Sequence, residues 1–93
     1  MKATWRGKVI AESNRTREAH GYRYFPPESV RMDLLRKARK TKSDMACPHG
    51  VRFYDVVNGA TRSKRAAWSY EAPRESMKKV DHWFSFWEDV RIK

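Results

Sequence analysis

The feature that most constrains this chain is a β-rich stretch that leads directly into a tight-turn signal near the middle of the sequence. Val51–Val57 consists mostly of residues favoured in strands, and Asn58-Gly59 follows at once. Asn-Gly after such a run is the strongest short-range signal of a β-hairpin. We therefore expect Ala60–Tyr70 to return as the partner strand and the fold to be built on sheets.

The first quarter of the chain shows the same organisation. Apolar side chains alternate along Trp5–Ala11 with the period of a strand, and Arg6-Gly7 supplies a glycine where a tight turn needs a positive φ. Thr16–His20 and Tyr22–Phe25 are two further candidate strands, divided by Gly21. This region is predicted to consist of short strands joined by turns.

Two short helices are predicted, each after a proline. Pro26-Pro27 begins the first, Val30 and Leu34 give it an apolar pair at helical spacing, and Arg36, Lys37 and Arg39 fall at its C-terminal end, where cations are favoured. The second covers Arg74–Lys79, after Pro73.

The chain ends with two more predicted strands. His82–Trp87 is aromatic on both faces, which indicates burial on both sides, and Val90–Ile92 alternates as an edge strand. The total is about eight short strands and two short helices, which predicts a mainly β fold. With 93 residues we expect a single domain spanning 1–93.

Charge and cysteine content limit the environment and the partners. Lysine and arginine number 21 against 11 acids, which gives a net charge of +10. No apolar run approaches the roughly 20 residues that cross a membrane, and a single cysteine excludes an internal disulfide framework. We expect a cytoplasmic monomer without a membrane partner, and nucleic acid is one partner that a basic chain can bind.

Metal, thiol and phosphate chemistry find little support. Cys47 and His49, with His20 and His82, lack the paired spacings of structural zinc, so we assign no metal and no cofactor. Cys47 with His49 resembles a thiol–imidazole pair, but Pro48 lies between them, and we expect a packed thiol. The glycines are too far apart for a phosphate-binding loop, and no catalytic residue is assigned.

Aromatic rings and bases are the more informative residues. Four each of Trp, Tyr and Phe exceed what a small compact core needs, and several adjoin bases. Arg36–Lys42 carries five bases and no acid, and Arg62–Arg65 adds three more. The bases that would contact nucleic acid are Arg36, Lys37, Arg39, Lys40, Lys42, Arg62, Lys64 and Arg65.

With these residues in view, the sequence resembles a known family, domain of unknown function 427. The matching blocks run in order along almost the whole chain. They are Met1–Gly7 with Val9–Ser13, Tyr24–Val30, Cys47-Pro48 with Gly50, Tyr54, Ala66–Tyr70 with Pro73, and Phe86 with Val90. The family also carries a nucleotidyltransferase-like label, which the residues above do little to support.

The resemblance implies a β-tent-like domain, in which two antiparallel sheets converge at one edge. Relatives with this fold commonly hold zinc with two Cys-x-x-Cys pairs, which a chain with one cysteine cannot supply. The family commonly reads Cys-Pro-Trp-Lys-Gly where this chain reads Cys47–Gly50 without the lysine, so any role of that lysine is lost here or passes to Arg52.

We expect a non-enzymatic module that binds an unknown small ligand or nucleotide in an aromatic cleft between the two sheets. The residues expected to line or support this cleft are Trp5, Tyr24, Phe25, Cys47, Tyr54, Trp68 and Tyr70. Two alternatives stay open: nucleic-acid binding through the bases of 36–42 and 62–65, and an enzyme acting on nucleotides, as the family label implies.

Overall fold

A computed structural model describes residues 1–93 and shows a chain made mainly of short antiparallel strands. There are nine strands, one α-helix and three short 3₁₀ helices. The strands are β1 (Lys2–Trp5), β2 (Lys8–Glu12), β3 (Arg17–Ala19), β4 (Tyr22–Tyr24), β5 (Leu35–Lys37), β6 (Val51–Asn58), β7 (Thr61–Tyr70), β8 (Phe84–Phe86) and β9 (Arg91–Ile92). The helices are α1 (Lys42–Ala46) and the 3₁₀ segments Pro27–Ser29, Met32–Leu34 and Glu75–Val80.

The strands form three antiparallel sheets, in the orders β2-β1-β9, β3-β4 and β5-β6-β7-β8. Phe25, just after β4, exchanges two backbone hydrogen bonds with Phe84 of β8, at 2.7 and 2.9 Å. This bridge joins the β3-β4 hairpin to the four-stranded sheet. We therefore call β3-β4 and β5-β6-β7-β8 together the large sheet, and β2-β1-β9 the small sheet. The predicted mainly β antiparallel fold is confirmed, with nine strands where about eight were expected.

The two glycine turns of the first quarter are confirmed. Arg6 and Gly7 have φ of 51° and 79°, and His20 and Gly21 have 51° and 84°. Two consecutive positive φ values define the tight hairpin turn whose twist matches that of paired strands. These turns produce the β1-β2 and β3-β4 hairpins.

The central hairpin is confirmed, but its turn lies one residue later than predicted. Asn58 pairs with Thr61, so the turn consists of Gly59 and Ala60, with Gly59 at φ 63°. The register of β6 and β7 then shifts between Tyr54 and Val56, which marks a β-bulge. The predicted strand is therefore present. Beyond the bulge, however, each β6 residue faces a different β7 residue from the one that it would face in a hairpin without a bulge.

The helix predicted after Pro26-Pro27 is wrong for most of its length. The chain makes only two 3₁₀ turns there, and Arg36 and Lys37 lie in strand β5 rather than at a helix end. Val30 bridges Ala11, and Leu35–Lys37 pairs with β6, so long-range sheet pairing overrides the local helical spacing. The charge cluster consequently lacks the helix-end explanation that its sequence suggested.

The remaining predictions hold more closely. A 3₁₀ helix replaces the second predicted helix at nearly the same place, β8 is buried at every position, and β9 lies at the edge of the small sheet. Helix α1 was not predicted; Thr41 and Asp44 form a capping box at its start. None of the helices has the length and apolar character needed to cross a membrane.

The two faces of the large sheet bury two separate apolar clusters. The core face packs against the small sheet; Phe25, Tyr54, Phe84 and Phe86 lie on this face, and Trp5 of the small sheet belongs to the same cluster. The opposite face carries a smaller cluster that includes Tyr24, Val51, Trp68, Met77 and Val80. We call this second side the pocket face, because it is not fully covered.

Candidate functional site

The pocket face contains an open aromatic pocket of about 230 Å³. Every residue lining it is hydrophobic, and no charged side chain is among them. Two of its rings are unusually accessible for large aromatics, with Tyr22 41% and Trp87 38% exposed. The lining residues are Tyr22, Cys47, Val51, Phe53, Trp68, Tyr70 and Trp87.

Trp68 is the central ring of this pocket. The Tyr22 ring meets it edge-on at 4.9 Å between centroids and 89° between planes. Trp87 meets it at 5.3 Å and 71°, and Phe53 is stacked with Trp87 at 6.0 Å. Edge-to-face contacts of this kind are favourable between aromatic rings, so these rings hold one another in place as the walls of the pocket.

The β6-β7 register explains why these rings share one face. Beyond the bulge, Val51 pairs with Tyr70 and Phe53 with Trp68, and directly opposed residues of two strands point to the same side of a sheet. The alternate residue Tyr54 therefore points to the core face. Tyr22 reaches the pocket from the β3-β4 hairpin, and Trp87 follows β8.

Tyr24 supports the pocket from behind. The indole N–H of Trp68 donates to the Tyr24 hydroxyl at 3.3 Å, and Tyr24 is 1% exposed. Burial, together with a hydrogen bond to Tyr70, raises the pKa of Tyr24 well above its usual range. Tyr24 consequently stays neutral and fixes the orientation of the central indole.

Arg65 connects the pocket wall to helix α1. Its guanidinium donates two hydrogen bonds to the Asp44 carboxylate, at 2.8 and 3.1 Å, and lies 4.1 Å from the centre of the Phe53 ring. Its carbonyl accepts the indole N–H of Trp87 at 2.6 Å. Arg65 thus contacts two wall residues without lining the pocket.

The Arg65 guanidinium holds the pKa of the buried Asp44 carboxyl below its usual range. Asp44 also accepts from the Thr41 backbone N–H through the capping box. The backbone of Arg65 adopts a left-handed φ of 54°, and the Asp55 carboxylate accepts its N–H at 3.0 Å. This conformation costs an arginine about 1 kcal/mol or more, which these contacts offset.

The residues predicted for the cleft divide between the two faces of the large sheet. Cys47, Trp68 and Tyr70 line the pocket, and Tyr24 lies directly behind it. Phe25 and Tyr54 are buried on the core face, and Trp5 is buried in the small sheet that covers this face, so none of the three lines the pocket. The space between the two sheets is filled core, and the open pocket lies on the other side of the large sheet.

Four pocket residues were not anticipated: Tyr22, Val51, Phe53 and Trp87. The turn signal at Asn58-Gly59 predicts that β6 and β7 are paired, which brings part of the pocket together. The bulge could not be read from the sequence, and it is the bulge that places Phe53 opposite Trp68. Trp87 follows a buried strand, and its indole N–H donates to the Arg65 carbonyl, a contact between distant residues that the sequence does not indicate.

The residues considered for metal and thiol chemistry have ordinary contacts. Nδ1 of His49 accepts the Arg74 backbone N–H at 2.9 Å, and the His49 ring lies 5.2 Å from that of Tyr70. Cys47 ends helix α1 and forms part of the pocket wall. No three side chains among His, Cys, Asp and Glu come together as metal ligands would.

The predicted basic patch is partly neutralised by acids. Lys40 lies 3.2 Å from Glu71, and Arg62 lies 2.6 Å from Asp55, in addition to the Arg65–Asp44 pair. The other five bases are exposed and form no ion pair. They are Arg36, Lys37, Arg39, Lys42 and Lys64.

The fold and the pocket define a class: a small, mainly β domain with an aromatic pocket on the outer face of its large sheet. The family model described as "Domain of unknown function (DUF427)" matches residues 1–93, so the chain belongs to that family. The model's short name refers to nucleotidyl transfer. No curated protein shows significant similarity to the chain.

Proposed function

We propose that this protein is a non-enzymatic binding module that holds the flat ring of a small ligand in the aromatic pocket. The observation that carries this proposal is an apolar pocket of about 230 Å³ whose rim keeps Tyr22 and Trp87 exposed. Leaving two large rings in water costs free energy that a ligand would recover by covering them.

The size and shape of the pocket support a ligand portion of one or two rings. A dry cavity of about 150 Å³ in another protein accommodates benzene, and this pocket is larger. Trp68 offers a ring at the centre, while Tyr22 and Trp87 stand nearly perpendicular to it. Such a set gains stacking contact with one face of a flat group and edge contact with its rim.

The composition of the lining supports binding over catalysis. General acid–base catalysis near neutral pH most often uses His, Asp, Glu or Lys, and the pocket is lined by none of these; its titratable lining residues are Tyr22, Tyr70 and Cys47. Tyr24, behind the wall, is kept neutral by its raised pKa. Cys47 is the one thiol at the pocket, and no histidine or acid hydrogen-bonds to it.

The test is a titration of the protein with nucleobases, nucleosides and bicyclic heterocycles, followed by amide NMR shifts and tryptophan fluorescence. We expect shifts at Phe53, Trp68 and Trp87, and at least a tenfold loss of affinity in Trp87→Ala, about 1.4 kcal/mol. Trp83→Ala is the matched control, because Trp83 lies outside the pocket beneath the Arg17 guanidinium, 4.5 Å from it. If no ligand in the panel shifts the pocket residues, or both variants lose affinity equally, the proposal is wrong.

A second candidate function, nucleic-acid binding, is supported by the five exposed bases without acidic partners. Binding through these side chains must weaken steeply with salt, because it releases counterions from phosphates. We expect the Arg36→Ser, Lys37→Ser double variant to flatten the salt dependence of binding to an oligonucleotide, with Lys40→Ser, which lies in an ion pair, as the control. Absence of binding at low salt would exclude this function.

The enzymatic alternative has the support of the family name alone. Its test is a turnover assay with each of the four nucleoside triphosphates and Mg²⁺. Product formation that is lost in a variant of a pocket residue would replace the binding proposal with this one.

A further inference from the structure

We propose that the pocket selects uncharged or anionic flat rings over organic cations, and that Arg65 is the residue that imposes this selection. The inference rests on the proposed function, since it concerns the ligand class of the same pocket. Its starting point is that an aromatic box is also the arrangement that recognises ammonium groups, so the walls alone do not decide the charge of the ligand.

No free negative charge is available to attract a cation. The lining contains only hydrophobic residues, and the acids Asp44 and Glu71 already form ion pairs with bases of this chain. Asp44 binds the Arg65 guanidinium and the Thr41 N–H, and Glu71, next to Tyr70, lies 3.2 Å from Lys40 and 3.5 Å from Arg52. A cation entering the pocket would lose water without gaining a carboxylate.

One wall ring is already occupied by a cation. The guanidinium carbon of Arg65 lies 4.1 Å from the centre of the Phe53 ring, which is the geometry of a cation–π contact. A second cation on the same ring would compete for its negative face and would feel the repulsion of the first. A neutral or anionic ring meets no such penalty.

The guanidinium cannot move aside to admit a cation. Two hydrogen bonds hold it to Asp44, which is 4% exposed and fixed by the capping box of α1. The Arg65 backbone is held separately by Asp55 and Trp87. The guanidinium end of the Arg65–Asp44 ion pair therefore stays against the Phe53 ring, while its carboxylate end lies on helix α1.

The overall charge acts in the same direction. A chain with a net charge of +10 disfavours the approach of cations. This general effect must be separated from the local one of Arg65. The variant Asp44→Asn, Arg65→Met removes one charge of each sign and leaves the net charge unchanged, so it isolates the local contribution.

The experiment measures binding of quinoline and N-methylquinolinium, which differ by one methyl group and one positive charge, by amide NMR shifts at neutral pH. In the natural sequence we expect quinoline to bind at least tenfold more tightly. In Asp44→Asn, Arg65→Met the ratio should fall to about twofold, while Arg65→Lys, which keeps a cation opposite Asp44, should retain most of the preference.

Equal or tighter binding of N-methylquinolinium to the natural sequence would overturn the inference and leave the proposed function standing. An unchanged preference in the double variant would overturn the role of Arg65. If neither probe shifts the pocket residues, both the proposed function and this inference fail. The comparison of the two probes on the natural sequence needs no variant to fold, so the selection is testable in every case.

Discussion

The two faces of the large sheet carry similar aromatic residues but differ in how they are covered. On the core face, Phe25 packs against Phe86 at 5.8 Å and Tyr54 against Phe84 at 5.2 Å, beneath the small sheet. On the pocket face, the segment around Met77 and Val80 covers part of the cluster, and the rings of Tyr22 and Trp87 stay exposed. The same strands thus supply a closed core on one side and an accessible box on the other.

Each side also has one acid, exposed in one case and buried in the other, that fixes an aromatic neighbour. Asp89 accepts the indole N–H of Trp5 at 2.9 Å and the hydroxyl of Ser63, on the core side. Asp44 acts on the pocket side only through Arg65. The direct hydrogen bond to Asp89 holds the Trp5 ring in the core, whereas the ion pair with Asp44 holds the Arg65 guanidinium beside the pocket.

The largest effect is expected from truncation on the core face. Phe25 is fully buried, so Phe25→Ala should lower the free energy of unfolding by about 3–5 kcal/mol through lost burial and the cavity left behind. Urea unfolding measures it, and Phe25→Leu should cost less than about 1.5 kcal/mol. A loss below about 1 kcal/mol for the alanine variant would show that this face is not the main core.

A smaller loss is expected from Asp44→Asn, about 2–3 kcal/mol at neutral pH, because it leaves Arg65 without its charge partner while Arg65 remains partly solvated. The pKa of Asp44 is lower in the folded state than in the unfolded state, where it is near 4. The Asp44 carboxylate therefore stabilises the folded state fully above the unfolded pKa, and this stabilisation is lost as the pH falls through the folded pKa. The variant should therefore lose less stability on acidification than the natural protein.

Asp89→Asn is the matched test on the core face. The hydrogen bond from the Ser63 hydroxyl, together with the one from the Trp5 indole N–H, holds the pKa of Asp89 below its usual range, so the same acid dependence applies. Urea unfolding at several pH values from 2 to 7 compares the two variants. A pH profile of Asp44→Asn that coincides with that of the natural protein would contradict the Arg65–Asp44 assignment.

Trp87→Ala should separate the faces most clearly, because it removes a wall of the pocket and little of the core. With 38% of the residue exposed, we expect the free energy of unfolding to change by less than about 2 kcal/mol, well below the Phe25→Ala loss. Thermal unfolding followed by circular dichroism provides the comparison. A loss as large as that of Phe25→Ala would mean that the pocket face is structural core.

The smallest effect is expected from Arg62→Ala, which removes the ion pair with Asp55 near the hairpin end of β7. The Arg62 side chain is 48% exposed, and exposed pairs contribute at most about 1 kcal/mol. Urea unfolding should show a change within about 0.5–1 kcal/mol that shrinks further at high salt. A larger effect would indicate that Asp55 depends on Arg62 to hold the Arg65 backbone.

The turns and buried strands were predictable from sequence because their signals are local. Arg6-Gly7 and Gly21 mark turns that need positive φ, and the aromatic run around Phe84 reports burial on both faces. The stretch around Leu35 was misassigned because its helical spacing is real, but pairing with β6 satisfies its backbone instead. Helix α1 did have a signal, Thr41 three residues before Asp44, as in a capping box.

The candidate site was predictable only in part. Trp68 and Tyr70 follow from the hairpin and the family resemblance, but the residues that they oppose depend on a bulge that shifts the pairing by two residues between Tyr54 and Val56. Tyr54 was expected in the cleft and instead lies in the core, on the other face from its neighbour Phe53. Two extra residues of β7 at the bulge set Trp68, rather than Ala66, opposite Phe53, and no local pattern in the sequence indicates this.

The position of β1 has a consequence for the order of folding. This first strand is the middle strand of the small sheet, between β2 and the last strand β9, and Lys93 donates its N–H to the Lys2 carbonyl at 2.8 Å. Pairing residues so distant along the chain makes folding slow, because a large loop must close before the contact is gained. The small sheet is therefore complete only once residues 91–92 have been synthesised, because its last strand pairs with its first.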